Sequence, residues 1–447
     1  MHYLPLTPQD EQEILKKLGV SSFQELLDAI IPKELQHHQK IQLPPAVSEH
    51  EIRNILKQLA GKNLTSTDHI TFLGAGIYDH YIPSIVDTII SRSEFYTAYT
   101  PYQAEVSQGT LQSIFEYQTV ICELTGMDVA NASMYDGGSA LAEACHMAND
   151  ITGKAKVILS ELIHPFYQQV VKTYTQECCV ELVQCPSKNG LTDLNALKDL
   201  LDNETSCICI QHPNFYGFLE AMPDIEKMVH DRGALLVSVV DPLSLGVVKP
   251  PGEYNADIVV GEGQAMGIPQ SFGGPLLGIF AAKMDYVRKL PGRIVGETTD
   301  IDGKRGYVLT LQTREQHIRR EKATSNICTN EALCALSSLI YLCSLGKQGM
   351  VDVANLCVSK SHYLYDKIKE LKHIKPAYEQ EFFKEFIVET EKPTHEVIDK
   401  LLEYKIFGGV PLSMFDEKLK HYMLIAVTEK RSKEEIDTYI DSLAKIL

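Results

Sequence analysis

Gly137-Gly138-Ser139 opens a helical segment, where unpaired backbone N–H groups and a hydroxyl suit a phosphate. The same residues serve equally well as a tight turn with Ser139 as helix N-cap. Further along, Gly261, Gly263 and Gly267 spell G-x-G-x-x-x-G, one residue off the dinucleotide fingerprint, which needs its third glycine where Met266 stands. A nicotinamide site is not supported. Walker A loops, H-E-x-x-H helices and G-x-S-x-G elbows are all absent from the sequence, so phosphoryl transfer, zinc hydrolysis and α/β-hydrolase chemistry lose their usual support. Eleven cysteines are scattered without a C-x-x-C pair, among them Cys179 and Cys328, which argues against a zinc site or a disulfide framework. The string Arg314-Glu-Gln-His-Ile-Arg-Arg-Glu-Lys322, followed by Ala323-Thr-Ser-Asn326, stands out in a chain of formal net charge -17. Taken alone, it fits a solvated helix of alternating charge.

Apolar runs that read as strands, over 157–160, 179–183, 207–210, 235–240, 258–260 and 276–281, alternate with helical segments from about 164, over 194–201 and over 223–231. Alternation of this kind means βαβ units and a mostly parallel sheet covered on both faces. In Ser206-Cys-Ile-Cys-Ile210 the cysteines suit small core positions on a buried strand. Ser107 is placed to cap a helix with apolar residues at 111, 114, 121 and 124, stopped by Gly126. The first 60 residues read as a helical arm, with Thr7-Pro8 starting a helix that ends at Gly19. From about 340 the order becomes long helix (351–371), strand (386–388), helix (395–403), strand (422–427) and a last helix opened by the capping box Ser432/Glu435. The expected organisation is an arm over 1–60, a large α/β domain over 61–335 and a small α/β domain over 336–447.

With 447 residues, 44% of them hydrophobic and 23% charged, the chain can bury a large core and carries no sign of disorder. The negative field repels phosphate backbones and anionic lipid, so no nucleic acid or membrane partner is expected. There is no apolar run of about 18 residues, and the start lacks the regions of a secretory signal; a cytoplasmic location is expected.

Specific strings then carry a resemblance: Phe72-Leu-Gly-Ala-Gly-Ile-Tyr-Asp-His-Tyr-Ile-Pro83, Tyr99-Thr-Pro-Tyr-Gln-Ala-Glu-Val-Ser-Gln-Gly109, Asn131-Ala-Ser-Met-Tyr-Asp-Gly-Gly-Ser139, Gln211-His-Pro-Asn-Phe-Tyr-Gly217, Pro291-Gly-Arg-Ile-Val-Gly296, the run from Gly306 to Lys322, and Ser325-Asn-Ile-Cys-Thr-Asn-Glu-Ala-Leu333. With the Tyr3-Leu-Pro-Leu-Thr7 start, these resemble the first-subunit type of the glycine cleavage system P-proteins, the glycine decarboxylases, over nearly the whole chain. The resemblance implies the pyridoxal-phosphate fold type I, aspartate aminotransferase-like: a large, mostly parallel sheet domain and a small C-terminal domain. It also implies pyridoxal phosphate carried by a second subunit, a heterotetramer of two copies of each chain, and delivery of the aminomethyl group of glycine to the lipoamide of the H-protein.

Enzymes of this fold hold the cofactor on a lysine just after the strand that here reads Asp257-Ile-Val-Val260. The matching place falls at Ala265 or Gln264, and no lysine lies between Lys249 and Lys283. Lys249 is the one displaced alternative, which would make the chain a self-sufficient pyridoxal enzyme. Other positions implied by the resemblance are Ser139 for the phosphate, Asn214 and His212 near the cofactor's phenolic oxygen, and, for the pyridine nitrogen, a place that counting sets at Ser238 or Val239, with Asp241 the only nearby acid, so that this function too is expected to be lost. His212 and Asn214 could instead hold the turn after their strand, and Asp241 before Pro242 could begin one. In dimers of this fold a loop corresponding to Thr324-Ser325 reaches the neighbour's cofactor phosphate. The chain is therefore expected to complete the partner's site, with a non-catalytic scaffold bearing a degenerate pocket as the alternative.

Overall fold

A computed structural model describes residues 6–37, 42–178, 180–327 and 329–447. Tyr3-Leu-Pro of the N-terminal motif, Cys179 and Cys328 lie outside them. The chain divides into two compact units, Met1–Leu64 and Thr65–Leu447.

In the first unit, helix Pro8–Leu18 is capped by Thr7 in a reciprocal box with Asp10 and ends at Gly19 in the left-handed region. Helices Phe23–Ile30 and Glu49–Ala60 follow, capped by Ser22 and Ser48.

The second unit is built on a seven-stranded sheet. Its strands are β1 (Val129–Ala130), β2 (Lys156–Ser160), β3 (Glu181–Cys185), β4 (Thr205–His212), β5 (Leu235–Val240), β6 (Ile258–Glu262) and β7 (Gly278–Ala282), in spatial order β1-β7-β6-β5-β4-β2-β3. Neighbours from β6 to β3 pair in parallel, and β7 runs against both β1 and β6. Every residue of β5 is buried, as a strand with helices on both faces must be. Side chains alternate between two cores. Ile208, Ile210 and Leu236 join Tyr117, Ile121, Met222 and Tyr341 on one face, while Cys207, Cys209, Val237 and Val260 join Leu141, Ala144 and Val171 on the other. Each fully buried Ile or Val contributes roughly 1.5–3 kcal/mol, so a polar substitution in β5 would be felt by both layers.

A smaller antiparallel sheet of Ile374–Pro376, Glu385–Thr390, Tyr422–Ala426 and Val410–Pro411, in that order, covers a third core with helices Thr394–Glu403 and Lys433–Ile446. Helix Ala332–Lys369 leads to it and is interrupted at Gly346, whose φ of 62° breaks the ladder. This helix starts at Ala332, about five turns earlier than its apolar pattern from 351 indicates. Gly217 sets the approach of the β4 loop to the small sheet: a Cβ there would lie 1.7 Å from the carbonyl oxygen of Glu385. No helix among the described residues is long and apolar enough to cross a membrane.

Some local readings change. The helix expected after Gly137-Gly138-Ser139 begins at Gly137 and is capped by Asp136, with Ser139 two residues inside it. Ser107 precedes helix Gln108–Thr125 but makes no capping hydrogen bond. Instead of one charged helix, the 312–322 segment forms short turns, Gln312–Arg314, Gln316–Arg319 and Arg320–Lys322, because Leu311 and Arg320 both adopt φ of 54°.

Candidate active site and its closed cradle

In open α/β sheets ligands bind beyond the carboxyl ends of the parallel strands. At that end of the present sheet lies a cavity of about 480 Å³, walled by residues 73–77, His164, Phe166, Tyr167 and Phe415 and floored by Asp136, Gly138 and Glu262. Helix Gly137–Thr152 points its N-terminus at this place, where free N–H groups would bind a phosphate. Two of them, those of Gly137 and Ser139, are already occupied. Asp136 Oδ1 accepts from the Ser139 amide at 2.7 Å, and Glu262 Oε2 accepts from the Gly137 amide at 3.0 Å. The Ser139 hydroxyl accepts from the Asp136 amide at 3.2 Å and donates to the Asp136 carbonyl at 3.1 Å, completing a capping box.

Glu262, at the end of β6, also accepts from the amides of Gln264 (3.0 Å) and Leu277 (2.9 Å) through Oε1. Burial pushes its carboxyl up to about 8, against the pull of these three amides, and nearby Asp136 adds to the rise. Tyr167 lies against Gly137 at the cavity wall. It stacks on His164 with ring centroids 4.8 Å apart, and its hydroxyl stands 2.6 Å from where a Cβ on Gly137 would be, so only glycine fits there. Burial pushes His164 down to about 4, and the neutral ring meets the Ala75 carbonyl through Nε2 at 3.0 Å.

Gln264 and Ala265 lie just past Glu262, both buried. The Gln264 amide is fully used: Oε1 accepts from the Tyr78 amide at 2.8 Å, and Nε2 donates to the carbonyls of Tyr78 (3.1 Å) and Ile268 (2.7 Å). Lys249 stands at the surface, 3.9 Å from Glu253 with more than half of its side chain exposed, so it does not supply a displaced lysine to this place. No lysine lines the cavity. The residues present do not fit pyridoxal phosphate in this chain's own cavity, since a phosphate would face the Asp136 and Glu262 side chains and no amine is at hand to hold the ring.

The other site residues named from sequence fall in separate places. His212 and Asn214 share one turn: His212 Nδ1 accepts from the Glu220 amide at 3.0 Å. Asn214 donates to the Gly190 carbonyl and Glu220 (both 2.9 Å) and accepts from the amides of Tyr216 (3.0 Å) and Phe218 (3.1 Å). Burial pushes His212 down to about 4, leaving it neutral. Ser325 donates to Glu143 at 2.7 Å, on the helix that Asp136 caps, and the Thr324 amide donates to the Arg314 carbonyl at 3.2 Å.

Asp241 caps the turn Pro242–Gly246 through the Leu243 amide at 3.1 Å, and its other oxygen meets Lys384 Nζ at 2.7 Å. The side chain of Lys384 is 1% exposed. Its ammonium also sits 2.9 Å from His80 Nε2 and 3.6 Å above the Tyr78 ring, and His80 Nδ1 reaches Glu429 at 2.6 Å. Beside it the Tyr78 hydroxyl donates to Glu385 at 2.8 Å, a carboxyl that burial pushes up to about 7. Sequence reasoning missed Lys384, Glu262, Tyr167 and His80. Only Glu262 left a trace, as the acid inside Gly261-Glu-Gly263 after an apolar strand.

Comparison with known proteins agrees with this architecture. The family model described as glycine cleavage system P-protein matches residues 1–443. The chain belongs to the glycine cleavage system P-protein family. A relative from Carboxydothermus hydrogenoformans, "Probable glycine dehydrogenase (decarboxylating) subunit 1", is 52% identical over 443 residues, covering 99% of each chain. A crystal structure of glycine decarboxylase (P-protein) of the glycine cleavage system in inhibitor-bound form superposes with a TM-score of 0.92 at 42% identity, covering 100% of both chains. Lactobacillus brevis glutamate decarboxylase, 12% identical, shares the fold with a TM-score of 0.67 over 93% of this chain and 96% of its own. Within the P-proteins the chain is of the subunit 1 type, and its fold is the pyridoxal-phosphate fold type I.

Proposed function

We propose that this chain is the lysine-free subunit of a two-chain glycine dehydrogenase (decarboxylating). In this reading it pairs with a second subunit as a heterotetramer of two copies of each, and the partner carries the pyridoxal phosphate and its lysine. The cofactor supplies the electron sink for loss of CO2 from glycine, and the aminomethyl group passes to the lipoamide of the H-protein. The observation that carries the proposal is the closure of this chain's own cradle by Asp136, Glu262 and Tyr167, with Gln264 spent on Tyr78. Such a chain contributes surfaces and contacts to a site elsewhere. Thr324, Ser325 and the neighbouring arginines are the residues we assign to the partner's site, with Ser139, His212, Asn214 and Asp241 kept as internal struts. The division at about 335 into large and small domains and a cytoplasmic location belong to the same reading.

The test is to purify the chain alone and with the second subunit, then record cofactor absorbance and glycine-dependent exchange of labelled bicarbonate with H-protein. A colourless, inactive chain that enters a yellow, active complex is expected; colour and exchange from the chain alone would overturn the proposal. Thr324→Ala with Ser325→Ala should cut exchange at least tenfold in an intact complex, whereas unchanged exchange would leave only a scaffold role.

A further inference from the structure

Close to the segment 311–324 the chain gathers Arg288, Arg314 and Arg319, none of which forms an ion pair among the described residues. A cavity of about 290 Å³ is lined by Arg288, Leu311, Thr313, Arg314 and Arg319. An adjoining cavity of about 400 Å³ shares Arg288 and Arg319 and adds His146, Lys289, Lys322 and Thr324 to its wall, together with the acids Glu143 and Asp150. Arg314 is the inner residue, 6% exposed. Its Nη1 donates to the Leu290 carbonyl, while Nε and Nη2 have no partner among the described residues. Buried guanidinium N–H groups are rarely left unpaired, because removing them from water without replacement hydrogen bonds is costly.

The acids of this region are engaged with groups other than Arg288, Arg314 and Arg319. Glu315 faces Arg293 at 3.4 Å and His317 at 3.5 Å, Asp150 pairs with Lys289 at 2.6 Å, and Glu143 accepts from Ser325. The side chains of Arg288, Arg319 and Lys322 make no hydrogen bond or ion pair among the described residues. Like charges held together in a chain of net charge -17 point to an anion that belongs between them.

We propose that these joined cavities bind a phosphomonoester, its phosphate clamped by Arg288, Arg314 and Arg319 and its organic part lying toward Thr324 and His146. Guanidinium forks match phosphate oxygens in pairs, and several together suit a dianion better than a single carboxylate. The small inner cavity takes the phosphate and the larger one the rest of the molecule. This inference rests on the assignment of these arginines to a site shared with the partner, but its readout, this chain's own affinity for phosphate, can fail or hold independently of where the cofactor resides.

Inorganic phosphate is the probe, titrated calorimetrically into the full chain, alone and assembled with its second subunit. Saturable binding is expected, weakened at least tenfold by Arg314→Gln and by Arg319→Gln and unchanged by Arg232→Gln, which lies outside both cavities. Arg319 is exposed, so its variant remains informative even if Arg314→Gln disturbs folding. Binding that persists in the complex supports a free phosphomonoester, and binding displaced by assembly supports a phosphate group presented by the partner subunit. Heats that are unsaturable, or equal in wild type and Arg319→Gln, overturn the site.

Discussion

Replacing Lys384 by Met should destabilise the second unit by about 4 kcal/mol at pH 8. The ammonium lies between Asp241 (2.7 Å), His80 (2.9 Å) and the Tyr78 ring (3.6 Å), with almost no contact with water. A protonated lysine must donate to His80 Nε2, so the imidazole is neutral and donates from Nδ1 to Glu429. Consistent with this, burial and then the Lys384 charge hold His80 below its ordinary range. One cation thus offsets carboxylates on two sides. Methionine fills the volume but leaves Asp241 without its counter-charge, and breaking a buried pair by removing one partner costs about 3–5 kcal/mol. Loss of the cation–π contact adds about 1 kcal/mol, and the side chain of Asp241, 14% exposed, recovers a similar amount from water. Removing Lys384 also removes one cause of the low His80 pKa, so the histidine takes up a proton more readily and restores a cation as pH falls. The deficit should therefore shrink as pH falls. Urea unfolding followed by tyrosine fluorescence reads this directly, since the chain has 21 tyrosines and no tryptophan. For a unit of this size the loss corresponds to a fall of about 5 °C in Tm. Adding Asp241→Leu to Lys384→Met should recover most of the loss. A single variant within about 1 kcal/mol of wild type at pH 8 would refute the argument.

Glu262, raised to about 8 from 4.5, favours folding in its protonated form, a contribution complete below 4.5 and lost as pH rises through 8. Stability should fall between about pH 4.5 and 8 by up to roughly 1.4 kcal/mol per unit, and Glu262→Gln should flatten that slope; parallel slopes would count against the closed cradle. Asn214→Ala strands two backbone amides and a buried carbonyl, for a loss of about 3 kcal/mol, and amide exchange at Phe218 should quicken. Gly137→Ala forces a Cβ to within 2.6 Å of the Tyr167 hydroxyl, costing about 1–3 kcal/mol, and Tyr167→Phe should relieve part of it in thermal melts.

The layered sheet was legible because its signal is local and repeated. Residues 235–240 are apolar except for Ser238 and form β5 with those bounds, and the small residues Cys207 and Cys209 alternate with Ile208 and Ile210 between two cores. Caps at Thr7 and Ser432 were legible for the same reason, each needing only an acid three residues on. Ser139 was not, because Asp136 competes for the same amides and an aspartate three residues earlier wins the cap. The charged run 314–322 has the composition of a helix, but left-handed backbone at Leu311 and Arg320 breaks it into turns, a tertiary choice that no spacing of charges announces.

Residues absent from a motif can be replaced by others that complete the same hydrogen bonds, and that is what hid the cradle. The Lys384–Asp241 pair joins positions 143 residues apart, and the Glu262–Gly137 bond joins positions 125 apart. Before the strand that begins at Glu385, a lone lysine looks like an edge residue facing water. A glutamate between glycines looks like a turn. Both acquire their meaning from the partner that folding delivers. A missing lysine predicts only that the chemistry has gone, whereas Glu262 on the helix N-terminus and Gln264 on Tyr78 reveal that the vacated donors were re-paired internally, which keeps a fold built around an anion site stable without the anion.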